Sequence, residues 1–256
     1  MVKKILSILA WVVTGAALVA LFIAARQHYL GTPIQAINVD IERANDSGFV
    51  KQNAVLSDIG NLCEVAKIGS VNMEAIGKRL NANPWIESAS SYVDLDGILN
   101  VNIKEYQPVL RVFGMNGTSA YLTAEGDLLP TSLGYTPHVL IASGNYALDK
   151  EHLNRQLCDT IEADQNLINT LQIFEAIERN EYLKSCIGQL YCNNKNEFEI
   201  VAKGIPSRIV LGDTDNLDDK LGRLEVFIRQ KANGTEIKNF KKIDLKYKNQ
   251  IVCTKR

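Results

Sequence analysis

The hydrophobic pattern begins with a stretch that has no polar face. Residues 5–25, ILSILAWVVTGAALVALFIAA, contain no charged residue. As a helix rising about 1.5 Å per residue, this stretch is about 31 Å long, the thickness of a bilayer's hydrocarbon core. Lys3 and Lys4 precede it and only Arg26 follows closely. The positive-inside bias then predicts a short cytoplasmic tail (1–4), a retained transmembrane helix (5–25) and everything beyond Arg26 outside. A cleaved leader would have an apolar region of about 7–15 residues ending in a small-x-small site. The pairs Phe22/Ala24 and Ile23/Ala25 fit such a site poorly. No second stretch of this kind occurs, so the chain is predicted to be bitopic.

From residue 33 to 108 the pattern predicts β-α-α-β-β. PIQAINVDIE (33–42) alternates and is rich in β-branched residues, as a half-buried strand is. KQNAVLSDIGNLC (51–63) spaces Val55, Ile59 and Leu62 as a helix does, and NMEAIGKRLNANPW (72–85) repeats this with Met73, Ile76 and Leu80. Asn72 is a candidate N-cap. Pro84 drives Asn83 extended and stops the second helix. ESASSYVDL and ILNVNIKEY read as strands joined at Asp96-Gly97, a strong hairpin signal. Asn83-Pro84-Trp85-Ile86 is therefore read as a helix-to-strand joint, with Trp85 and Ile86 filling the gap between helix and sheet, and no catalytic group concentrated there.

From 109 to 256 the texture changes to short strands and longer helices. VLRVFG, SAYLTAEGDLLPT and HVLIASG predict strands. Residues 149 to about 180 place Leu153, Leu157, Ile161, Ile168, Leu171, Phe174 and Ile177 at helical spacing, with Asp149 a candidate N-cap and Asp164-Gln165-Asn166 a possible break. YLKSCIGQLYC and EFEIVAKG flank a hairpin, SRIVLGD is another strand, and DDKLGRLEVFIRQKA (218–232) is a helix with Leu221, Leu224, Phe227 and Ile228 inward. KKIDLKYKNQIVCTK reads as one closing strand. The fold class expected is α+β: a transmembrane helix, a β-α-α-β-β domain at 33–108 and a mixed β-sheet domain with packed helices at 109–256.

Composition narrows the function classes. Net charge is −1 and 46 % of residues are hydrophobic. That leaves no basic field for nucleic acid and too much apolar character for disorder. Five cysteines, an odd number, rule out a fully paired intramolecular framework. Cys186 and Cys192 fall within one predicted strand, about 20 Å apart, beyond the roughly 7 Å a disulfide tolerates. The cysteines are read as small buried apolar residues. His28, His138 and His152 have no partner at metal-ligand spacing, and no nucleophile elbow, Walker A or dinucleotide fingerprint occurs. DTDNLDD (213–219) lacks the oxygen ligand and glycine of an EF-hand and reads as a polar turn feeding a helix. Asp94 and Asp96 flank a turn where Asp is common. Asn45, Asn116 and Asn233 begin Asn-x-Ser/Thr triplets. No catalytic residue, cofactor or metal is assigned.

The closing strand carries the most informative pattern. Ile243, Leu245 and Tyr247 alternate with Asp244, Lys246 and Lys248, and Lys242, Lys246 and Lys248 line the outer face. Lysines there guard an edge against aggregation. The same lysines would also suit an open edge that accepts another chain's strand and selects an acidic partner.

Four stretches, in order, carry a resemblance: NPWIESASSYVDLDGILNVNIKEYQPVLRVF, SAYLTAEGDLLP, IVLGD with DDKLGRL, and IDLKYKNQIV. Together they resemble the FtsQ/DivIB family of cell-division proteins, the first module being similar to its POTRA domain. Asp94-Leu-Asp-Gly97 stands where many members have an aromatic-Pro pair, and Lys246 where Arg is usual. The resemblance implies a non-enzymatic scaffold of the bacterial inner membrane, enriched at the septum. Its terminal strand would bind small coiled-coil division proteins of the FtsB/FtsL type, beside other divisome membrane proteins. The implied binding residues are Lys246, Tyr247, Lys248, Asn249, Gln250, Ile251 and Val252. Tyr247 is the best anchor, unless it packs in the core with Ile243 and Leu245. Two other readings stand beside this one. A membrane-tethered POTRA protein would bind extended envelope polypeptides with little selectivity. An anchored envelope enzyme would need a pocket of convergent polar groups.

Overall fold

The computed structural model describes residues 2–43, 45–63, 67–148, 164–232 and 235–256. The chain divides into two compact units, Met1–Tyr106 and Gln107–Arg256.

In the first unit, α1 (Val2–Gly31) contains the apolar run. Within it, Leu9–Gly31 is 23 residues long and apolar enough to cross a membrane. The hydroxyl of Thr14 donates to the Ala10 carbonyl (2.8 Å), which satisfies that hydroxyl within the helix. At the far end, the Tyr29 hydroxyl lies 3.1 and 3.2 Å from the carbonyls of Val93 and Asp94. Then follow β1 (Ala36–Glu42), α2 (Gln52–Cys63), α3 (Met73–Asn81), β2 (Ile86–Val93) and β3 (Ile98–Glu105). The sheet order is β1-β3-β2, β3 pairing parallel to β1 and antiparallel to β2. Val55 and Ile59 of α2 and Ile76 and Leu80 of α3 bury against Val39, Leu99, Val101 and Ile103 of the sheet.

The local signals in this unit work as their chemistry requires. The Asn72 side chain accepts from Ala75 N at 2.9 Å and caps α3. Past Pro84, the Asn83 side chain accepts from Trp85 N (3.0 Å), and the Trp85 ring stacks on Phe49 with centroids 5.9 Å apart. Ile86 enters the core. The joint is therefore structural. The buried carboxylate of Glu105 accepts from Phe49 N at 2.6 Å and Val50 N at 3.3 Å, satisfying the backbone ahead of α2.

Among the described residues, the second unit is built on one nine-stranded mixed sheet. Its strands are β4 (Pro108–Phe113), β5 (Ser119–Thr123), β6 (Leu128–Pro130), β7 (Leu140–Gly144), β8 (Ile187–Cys192), β9 (Phe198–Ala202), β10 (Arg208–Gly212), β11 (Phe240–Asp244) and β12 (Val252–Lys255). The order is β12-β11-β10-β9-β8-β7-β4-β5-β6. Three helices, α4 (Gln165–Glu178), α5 (Glu181–Cys186) and α6 (Leu217–Ala232), share one core with it. Leu167 and Ile173 of α4, Leu183 of α5 and Leu221, Leu224 and Ile228 of α6 meet Leu110, Ala142, Leu190, Ile200, Ile209 and Ile243.

The structure corrects several expectations. YLKSC is helical: Asn180 accepts from Leu183 N (3.0 Å) and starts α5, so Cys186 ends a helix and only Cys192 lies on β8. Asp164 caps α4 through Asn166 N at 2.8 Å. The buried residues of α4 are Asn166, Leu167, Thr170, Ile173, Ala176 and Ile177, so of the expected apolar residues Ile177 is buried while Ile168, Leu171 and Phe174 are half-buried. The expected Asp149 cap and Leu153, Leu157 and Ile161 lie outside the described residues. Of the cysteines, Cys192 is a buried free thiol whose pKa burial pushes up to about 11. Cys186 and Cys253 are only half-buried. The largest correction concerns residues 241–255.

Candidate functional site

KKIDLKYKNQIVCTK is two antiparallel strands and a chain reversal. β11 pairs parallel with β10 (Ile209↔Ile243) and antiparallel with β12 (Ile243↔Cys253, Asp244↔Val252). Its backbone is therefore occupied on both sides, and the expected open rim at 243–252 is not one strand. The terminal place in the sheet belongs to β12, which pairs with β11 alone among the described strands. Leu245 N still donates to Val210 O (2.9 Å), and Leu245 is fully buried. Beyond it the apolar alternation ceases to have structural meaning. Asn249 takes a left-handed φ of 59°, which Asn tolerates better than most residues, and the chain turns back.

The seven residues named from the sequence thus lie on the 245–251 connection and at the start of β12. Lys246 N donates to the Asp244 carboxylate (3.1 Å), and Lys246 Nζ to Glu197 in the β8–β9 turn (2.9 Å). The Lys246 stem lies across Gly212, where φ is +82° and a Cβ would stand 2.7 Å from Lys246 Cγ. The Leu-Gly pair ending β10 is thereby explained: only glycine permits both the turn and the close approach. Tyr247 is 49 % exposed, so it is not the core residue that the alternation allowed. Lys248, Asn249 and Gln250 are exposed, Ile251 packs against the core, and Val252 is 40 % exposed.

Electrostatics here are mostly internal. Lys242 pairs with Asp244 (2.6 Å) and Lys246 with Glu197, so two of the three lysines expected to face a partner are already matched. The hydrogen bond from Lys246 holds the Glu197 carboxyl below the ordinary range, and Glu197 in turn raises Lys246. Burial opposes ionisation of Asp244, but bonds from Lys242 and from Lys246 N outweigh it and keep its pKa low. Lys248 and Lys255 have no carboxylate partner among the described residues.

Residues missed by sequence reasoning complete the site. Cys253, Thr254 and Lys255 form the edge itself. Arg223, on α6, reaches the connection from below: Nη1 donates to the carbonyls of Tyr247 (3.0 Å) and Gln250, and Nη2 to that of Leu245 (3.3 Å). Asp219, one turn earlier, holds the guanidinium at 2.9 Å. The Asp219/Arg223 spacing was visible, but nothing in the sequence tied it to residues 245–250. Between α6 and the connection lies a groove of about 560 Å³ lined by Gly222, Val226, Phe227, Asn249, Gln250 and Ile251 among others.

Other candidate chemistry does not converge. His138 lines a cavity of about 490 Å³ at the starts of β4, β7 and β8, where Glu178 and Lys184 are bound to each other at 2.7 Å. His28 lies on α1, and His152 is outside the described residues. No group of three or more His, Cys, Asp or Glu is placed to hold a metal ion among the described residues.

An N-terminal helix apolar enough to cross a membrane, a β-α-α-β-β unit and, among the described residues, a nine-stranded sheet carrying its helices in one core define a class: an α+β protein whose last unit ends in an edge strand. The family model described as FtsQ/DivIB, C-terminal related matches residues 107–254, and the chain belongs to that family. Membership gives it a role in cell division, and FtsQ/DivIB proteins are non-enzymatic scaffolds. The apolar helix fits a single-pass membrane protein. No curated protein matches the chain.

Proposed function

We propose that the chain is a bitopic scaffold of the bacterial division machinery whose last unit docks small coiled-coil proteins of the FtsB/FtsL type by strand addition. The observation that carries this reading is the terminal position of β12, with one backbone edge left over among the described strands. Main-chain hydrogen bonds along such an edge give affinity, and adjoining side chains give selectivity. Tyr247, Val252, Thr254 and Lys255 are exposed beside it, and the α6 groove offers Val226 and Ile251 to an apolar side chain. The anchor holds partners at high local concentration. In this reading residues 33–108 form a POTRA-like domain, residues 109–256 the partner-binding domain, and other divisome membrane proteins complete the assembly at the septum.

Two measurements test it. Tyr247→Ala should weaken co-purification of the FtsB/FtsL-type pair with little change in thermal unfolding, because the ring is half exposed. Unchanged recovery would remove Tyr247 from the site. Protease added outside spheroplasts should digest the chain beyond Arg26, and full protection would reverse the orientation.

One observation favours a second reading. β2 is also a terminal strand, in the order β1-β3-β2, and its Tyr92 is 54 % exposed. A POTRA-like unit could receive extended envelope polypeptides there. Binding of many unrelated extended peptides, abolished by changes in 86–93 and untouched by Tyr247→Ala, would select that reading.

A further inference from the structure

We infer that Arg223 is the positioning residue of the docking edge: one guanidinium on α6 sets the shape of the 245–251 connection and so keeps β12 in place as a template. The inference rests on the docking reading above, and deepens it. The connection makes few bonds of its own. Among the described residues, its backbone ties to the sheet are Leu245 N to Val210 O and Lys246 N to the Asp244 carboxylate, both at its first two residues. The carbonyls of Leu245, Tyr247 and Gln250 meet α6, where Arg223 donates to all three.

Arg223 is suited to this by chemistry as well as by place. Converging carbonyl dipoles need donors carrying positive charge, as at a helix C-terminus. The neighbours on α6, Asp218 and Asp219, are acidic and supply acceptors only. Asp219 holds Arg223 Nε at 3.0 Å and lies 2.9 Å from Nη2, which leaves Nη1 aimed at the connection and Nη2 shared between Asp219 and the Leu245 carbonyl. The side chain is 18 % exposed, and its bond to the Leu245 carbonyl is partly buried while those to Tyr247 and Gln250 lie at the surface. A lysine at 223 offers three donors around one point and cannot span three carbonyls held by a planar fork. The opposite end of β12 is fastened in the same manner: Arg256 Nη2 donates to Pro206 O at 3.0 Å, and Arg256 N to Asn239 O at 2.9 Å.

Strand addition requires β12 to be seated when the partner arrives. If it is seated for only a fraction of the time, apparent affinity falls by that fraction. Removing Arg223 should therefore weaken docking by unseating β12, and because Arg223 also borders the α6 groove, exchange with no partner present is the readout that separates positioning from contact.

The experiment uses the full chain in detergent, as wild type, Arg223→Ala, Arg223→Lys and Tyr247→Ala, with the co-purified FtsB/FtsL-type pair as probe. Two quantities are read: amide hydrogen exchange with no partner present, and affinity for the pair. Arg223→Ala should speed exchange at 246–252 by about tenfold or more and weaken affinity by a similar factor, with the rest of 107–256 unchanged. Arg223→Lys should fall between. Tyr247→Ala should weaken affinity and leave exchange alone, which separates contact from positioning. Unchanged exchange at 246–252 in Arg223→Ala overturns the inference, as does accelerated exchange throughout the unit. Accelerated local exchange with wild-type affinity also overturns it. If wild type itself does not bind the pair, the docking reading fails. The exchange data then still show whether Arg223 sets the connection.

Discussion

Two chain reversals in this molecule are built on opposite plans. The turn between β2 and β3 closes on itself. Asp94 Oδ1 accepts from Asp96 N (3.0 Å) and Ile98 N (2.9 Å), and Gly97 takes φ +81°. Its closing carboxylate bonds lie within residues 94–100, Asn100 donating to the other Asp94 oxygen at 3.2 Å, and Tyr29 and Gln35 add bonds to the carbonyls of Asp94 and Gly97. The reversal between β11 and β12 has one local bond of the same kind, Lys246 N to the Asp244 carboxylate at 3.1 Å, and depends more on distant residues. It is held by Arg223, 24 residues before Tyr247, by Glu197, 49 residues before Lys246, and by Leu245 in the core. A self-closed turn is a fixed joint. A turn held from outside can be released by changing something else, and that property suits a segment beside a docking edge.

Mutations sharpen this contrast. The largest effect should come from Leu245→Ala, which empties a fully buried position at the root of the second reversal. A loss of about 2–5 kcal/mol is expected, since truncating a core leucine removes both transfer energy and packing. Chemical denaturation of the full chain would record it, with exchange faster across β10–β12. A loss under about 1 kcal/mol would mean that the reversal does not depend on the core.

Gly97→Ala should cost less, roughly 1–2 kcal/mol, because alanine is strained at positive φ. A Cβ there would also approach Pro33 O to 3.2 Å. Exchange should rise within 86–105 alone. Spread of the effect into 107–256 would contradict a self-contained turn.

Acid should produce the smallest effect, and a selective one. The N–H of Ile98, then Asn100 and Asp96, stabilise the Asp94 carboxylate, so its folded pKa is depressed. A depressed carboxylate contributes its full stabilisation above its unfolded pKa of about 3.9, and loses it as pH falls through the lower folded value. Amide shifts of Asp96 and Ile98 should therefore move below about pH 4. The carbonyls bound by Arg223 do not titrate. Of the ties at the second reversal, those to Glu197 and Asp244 should weaken in the same window, both carboxyls being held low. Loss of the whole second reversal at the pH that loosens the first would show that these carboxylates, rather than Arg223, hold it.

The same contrast explains what could be read without coordinates. The β-α-α-β-β order, the Asn72 cap, the stop at Pro84 and the turn at Asp96-Gly97 follow from residues next to one another. So does the family resemblance, which needs only motifs in order. Residues 241–255 misled because Ile243, Leu245 and Tyr247 keep a strand's alternation through the point where the strand ends. Lys248-Asn249 was the available turn signal, and it is weaker than Asp-Gly. Asn180 was a cap of the same kind, hidden in a run that alternates like a strand. That Arg223 fixes the connection could not be read at all, because a side chain donating to distant carbonyls leaves no periodicity.

Docking by strand addition requires β12 to be the surface that receives the partner strand. Amide hydrogen exchange of the full chain, with and without the FtsB/FtsL-type pair, tests this most directly. Strand addition predicts new protection at 252–255, little change at the opposite edge strand β6, and none at β2. Unchanged exchange at 252–255 in a complex that is shown to form, with protection at β2 or β6 instead, would contradict it.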